Sequence, residues 1–97
     1  MIDKIRESIQ RIEKASQGKD IRIVSHFDTD GITSAAIFSR ALKRWGKSFS
    51  LEIVKGLDEE FVRGLGDDKV LIFLDLASGS LEYLRDKKTD VFIFDHH

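Results

Sequence analysis

Ile2, Ile5, Ile9 and Ile12 recur every three or four residues among charged neighbours. This spacing predicts an amphipathic helix over residues 2–17, with Gly18 placed to end it and the isoleucines as its packing stripe. The period then changes. Residues 21–25 (Ile-Arg-Ile-Val-Ser) are a short β-branched run and predict a strand. The polar segment His-Phe-Asp-Thr-Asp-Gly, 26–31, predicts a loop. Residues 32–45 predict a second helix, with Ala35, Ala36, Phe38, Ala41, Leu42 and Trp45 on its buried side and Gly46 at its end. Residues 48–54 predict a strand, and 58–65 a short helix with acids in its first turn. Residues 69–74 predict a nearly all-apolar strand. A further helix is predicted over 80–87, capped by Ser78 or Ser80, and a fourth apolar strand over 90–94.

Alternation of helix and strand predicts an α/β fold, Rossmann-like, with a mostly parallel sheet flanked by helices. Strands 69–74 and 90–94 lack polar alternation, as strands covered on both faces do. With 97 residues the chain makes one small domain with a modest core. Charged residues make up 34% and nearly cancel, at a formal net charge of −1, which excludes a domain held on nucleic acid by bulk positive charge. Cysteine is absent, so disulfides and thiolate metal sites are excluded and a reducing cytoplasm is the expected compartment. The first residues do not form a signal peptide, and no apolar run approaches the ~18 residues of a membrane span.

Chemistry concentrates at strand ends. Strand 21–25 runs into Ser25-His26-Phe27-Asp28-Thr29-Asp30-Gly31, strand 69–74 ends at Asp75, and strand 90–94 ends at Asp95-His96-His97. In an open parallel sheet, sites form outside the carboxyl ends of the strands. If the three strands are parallel, the clusters share one crevice. Taken singly, each has a plain structural reading: a polar loop histidine, a turn with a helix cap, a strand-end acid, a chain terminus. Three strand ends with the same chemistry are harder to explain that way. Carboxylates and neutral imidazoles suit manganese-like ions, and two such ions ~3.5–4 Å apart clamp a phosphoryl group. Asp75, with two oxygens, is placed to bridge such a pair. Gly31 opens a helix whose N-terminal amides suit a phosphate.

The segment His26-Phe27-Asp28-Thr29-Asp30-Gly31, followed by Ser34-Ala35, resembles the first motif of the DHH phosphoesterases. Leu74-Asp75-Leu76 resembles the second, and Asp95-His96-His97 matches the motif that names the family. The resemblance runs from Ile21 to His97 and is most similar to the archaeal RecJ-like nucleases. It implies a metal-dependent phosphoesterase, with 5′→3′ exonuclease action on single-stranded DNA, or RNA in some members, and an association with the GINS complex of the replicative helicase. It also implies two divalent ions, manganese first and magnesium or cobalt as substitutes. His26 and Asp28 would hold one ion and Asp30 and His96 the other, with Asp75 bridging. His97 would contact the scissile phosphate and Asp95 would orient the histidines. A fourth motif and a carboxyl-terminal DHH-associated domain are absent from the 97 residues, so the chain reads as the amino-terminal portion of a truncated DHH domain, inactive alone. Two other functions fit the resemblance: a replication scaffold that binds GINS, and a phosphatase or phosphodiesterase for oligonucleotides, nucleotide bisphosphates or pyrophosphate. A nucleotide-binding module without metals fits poorly, because no G-x-G-x-x-G follows the first strand.

Overall fold

The computed structural model describes residues 2–76, 81–85 and 87–94. Helices and strands alternate as α1 (Ile2–Ala15), β1 (Ile21–His26), α2 (Thr29–Arg44), β2 (Phe49–Val54), α3 (Glu59–Gly64), β3 (Val70–Leu74), α4 (Leu81–Leu84) and β4 (Val91–Phe94). Every strand pairing is parallel, in the order β2-β1-β3-β4. The α/β fold with a parallel sheet is therefore as the alternation predicts. Among the described residues, no helix is long and apolar enough to cross a membrane.

Register decides which side chains go to which face. Ile21 and Ile23 of β1 align with Val70 and Ile72 of β3. This face packs on Phe38 and Leu42 of α2 and on Ile12 of α1. Val24, Leu71 and Phe73 point the other way and pack with Val62, Leu65 and Leu84. The sheet is thus covered on both sides, and β3, in the centre, is buried at all five positions. β4 departs from the expectation of a doubly covered strand. It lies at the sheet edge, where Val91 and Phe92 are half-buried and Ile93 is exposed.

The other departures are local. α2 begins at Thr29, because Asp28 caps it and draws Thr29, Asp30 and Gly31 into the first turn. Ala36 and Trp45 are exposed and outside the core. The helix buries Gly31, Ser34, Ala35, Phe38 and Leu42, a stripe that Ala36 misses, and it ends at Arg44, so Trp45 sits past the last turn. Gly46 has φ of +67°, the left-handed turn that reverses the chain toward β2. Ser78 and Ser80 lie outside the described residues, as do Asp95, His96 and His97.

From β1 the chain winds to β2 on one side and, through β3, to β4 on the other. The direction of winding reverses between β1 and β3. A crevice for ligands opens at the carboxyl end of such a reversal.

Candidate metal centre

Each side of that crevice carries a candidate ligand because of the register. Ser25 of β1 pairs with Leu74 of β3. The next residues, His26 and Asp75, therefore emerge side by side at the carboxyl edge. Asp28 follows two residues after His26, where the chain turns into α2.

The turn is tightly specified. Asp28 has extended backbone angles, and its Oδ1 accepts from the Gly31 amide at 2.8 Å, a standard N-cap. Its Oδ2 is left pointing at His26, 3.0 Å from Nδ1. The buried Ser25 hydroxyl donates to the Gly31 carbonyl at 2.7 Å, tying the first turn of α2 to the end of β1. Gly31 has no room for a side chain: a Cβ there would lie 2.2 Å from the His26 carbonyl oxygen. Its amide, expected to face a phosphate, is engaged by Asp28, so what Gly31 contributes is close approach. Ser25 stands in the strand-end cluster of the sequence without an assigned role. The available signal is a small polar residue following the apolar pair Ile23-Val24 at the end of a β-branched run.

Asp75 is held differently. Its amide donates to the Phe94 carbonyl at 2.7 Å, and its φ is +63°, a left-handed conformation that costs a non-glycine residue energy. The residue is only 9% exposed. A buried carboxylate in a strained backbone is a pattern concentrated at functional sites.

His26, Asp28 and Asp75 each offer one ligand atom, and these three atoms lie within 4.8 Å of one another. The Nδ1 of His26 is buried, with the Asp28 Oδ2 as its close polar neighbour. An imidazole nitrogen and two carboxylates form a donor set suited to a manganese-class ion. The hydrogen bond from the Gly31 amide holds the Asp28 carboxyl below its ordinary range; burial opposes it, and the neighbouring His26 adds a smaller lowering effect. Asp28 is therefore ionised and ready to ligate at neutral pH. Asp30 is exposed in the first turn of α2 and is not part of this three-residue group.

Comparison with known proteins places the whole chain, not these side chains. The model of the DHH family, N-terminal domain, matches residues 20–97. An uncharacterized protein of Methanocaldococcus jannaschii is 32% identical over 108 residues. The alignment takes in all of this chain, and the chain spans about a quarter (25%) of that relative's length. A crystal structure of the exonuclease RecJ bound to manganese superposes with a TM-score of 0.76 at 28% identity, covering 96% of this chain and 27% of RecJ. RecJ from Thermus thermophilus in complex with Mn2+ gives a TM-score of 0.73 at 28% identity, over 96% of this chain and 14% of that protein.

Proposed function

This chain belongs to the DHH family, as its N-terminal domain, and from that premise we propose that it is the motif-bearing part of a metal-dependent phosphoesterase, acting as an exonuclease on single-stranded nucleic acid. The observation that carries this reading is the convergence of His26, Asp28 and Asp75 at the point where the sheet reverses its winding. The manganese bound to the RecJ proteins supports the choice of ion.

The residues present fit such an ion. The buried Nδ1 of His26 and carboxylate oxygens of Asp28 and Asp75 lie within 4.8 Å of one another, and they are of the nitrogen and oxygen type that manganese takes. His26 and Asp28 would hold one ion, Asp75 would bridge to a second, and Asp30 and His96 would complete the second site. His97 would contact the scissile phosphate, with Asp95 orienting the histidines. Support for the role of this last segment comes from β4, whose Phe94 is in register with Leu74 and so runs toward the same edge as Asp75. Divalent ions held there would supply positive charge to a phosphoryl group and make an attacking water more acidic.

The chain's own residues do the positioning. Asp28 is fixed by the Gly31 amide, so its second oxygen keeps its direction. The rigid sheet fixes the distance between His26 and Asp75. Ligands placed this way lose little entropy on binding an ion.

In the complete protein, Asp75→Asn should abolish manganese-dependent hydrolysis of end-labelled single-stranded DNA. Pyrophosphate and dinucleotides run alongside would separate a strand-specific exonuclease from an enzyme of small substrates. Undiminished hydrolysis by Asp75→Asn would remove the bridging role and the proposal with it.

A further inference from the structure

Phe27 lies between two of the three clustered ligands in sequence, and it is 53% exposed. Neither core cluster includes it. Packing among the described residues therefore gives no reason for a large apolar ring at this position. Its one aromatic neighbour among the described residues is His26, at a centroid distance of 4.8 Å and an interplanar angle of 66°. Rings that meet edge to face use at most one face of the phenylalanine. The ring is thus oriented by a candidate ligand while much of its surface remains open to solvent beside the candidate centre.

We propose that Phe27 is a stacking platform for the nucleobase next to the scissile phosphate. This rests on the phosphoesterase reading and deepens it, by naming the residue that engages an unpaired base. The physical basis is general. An aromatic side chain stacks on any base, because every base has a π-face, and it does so without reading sequence. A base inside a duplex has both faces covered by its neighbours, so the platform favours single strands. A substrate without a base, such as pyrophosphate, gains nothing from the ring.

The test measures affinity as well as turnover, in the complete protein. A fluorescent oligothymidylate and an abasic sugar-phosphate chain of equal length are titrated into wild type, Phe27→Ala and Phe27→Trp, with manganese affinity measured separately by calorimetry. The ratio of affinities, base-bearing over abasic, should fall roughly ten-fold in Phe27→Ala, the order expected for one lost stacking contact, and be retained in Phe27→Trp. Manganese affinity should stay within about two-fold in both variants, since the ring itself ligates nothing. An unchanged ratio in Phe27→Ala would overturn the proposal. So would a parallel loss of manganese affinity, which would make the ring a support for His26. The two readings fail separately: a base preference that depends on Phe27 in a protein that hydrolyses nothing would sink the phosphoesterase reading alone, whereas hydrolysis with an unchanged ratio would sink the platform alone.

Discussion

Gly31→Ala sets two effects of opposite sign against each other. Gly31 lies within α2, and its φ is not among the positive values, so alanine at a free position of this kind would stabilise the helix by about 1 kcal/mol. The structure predicts the opposite here. An alanine Cβ would stand 2.2 Å from the His26 carbonyl oxygen, 2.9 Å from its carbon and 3.0 Å from the Ser25 hydroxyl. Ordinary contact begins near 3.4 Å, so the first turn of α2 must retreat from β1 by roughly 1 Å. Two of the three obstacles are backbone atoms, which no rotamer change can move. Overpacking of this kind costs about 3 kcal/mol at the upper end of its usual range, leaving a net loss of about 2 kcal/mol. In a domain of this size that lowers Tm by roughly 8–16 °C. The same retreat pulls Asp28 away from His26, and manganese affinity should fall with it. The control is Gly64→Ala in α3, where nothing lies within 4 Å of the added carbon. Thermal unfolding by circular dichroism should show Gly64→Ala at or above wild type and Gly31→Ala well below. A Gly31→Ala protein as stable as wild type would refute the close-approach argument.

Other consequences are simpler. Phe73 is fully buried in the central strand, so Phe73→Ala should cost about 3–5 kcal/mol in urea unfolding, a large share of the stability of so small a domain; a loss under about 1 kcal/mol would contradict its core position. The left-handed backbone at Asp75 predicts that Asp75→Gly is more stable than Asp75→Ala by about 1 kcal/mol in the metal-free protein, and the reverse order would show that the strain is absent. Asp67 accepts from the Lys88 and Thr89 amides, and the Lys88 bond chiefly lowers its pKa from 3.8. A lowered folded value means that its contribution is full above 3.8 and disappears as pH falls through that lowered value. Asp67→Asn should therefore flatten the acid side of the stability profile below about pH 4, as read by urea midpoints, and an identical acid slope would refute the linkage.

The element order was legible because hydrophobic period and glycine punctuation carry it, and each strand begins and ends within a residue or so of its predicted bounds. The meeting of His26, Asp28 and Asp75 was legible too, since parallel strands deliver their carboxyl ends to one edge. What the sequence concealed were consequences of tertiary packing. Asp-Thr-Asp-Gly reads as a turn with a helix cap before a helix from residue 32, but the Asp28 cap starts that helix three residues earlier, at Thr29. An apolar run cannot reveal that β4 stands at an edge, because edge position depends on topology. The left-handed turn at Asp75 left no sign either, since aspartate is tolerated there and not required.

The central claim is that His26, Asp28 and Asp75 form a site for a divalent ion, and calorimetric titration of manganese into the folded chain tests it most directly, with Asp75→Asn alongside. The account predicts saturable binding to wild type that weakens at least ten-fold in the variant, the lower bound being roughly what the loss of an outer-sphere partner alone costs. Equal binding by a folded Asp75→Asn protein would contradict it.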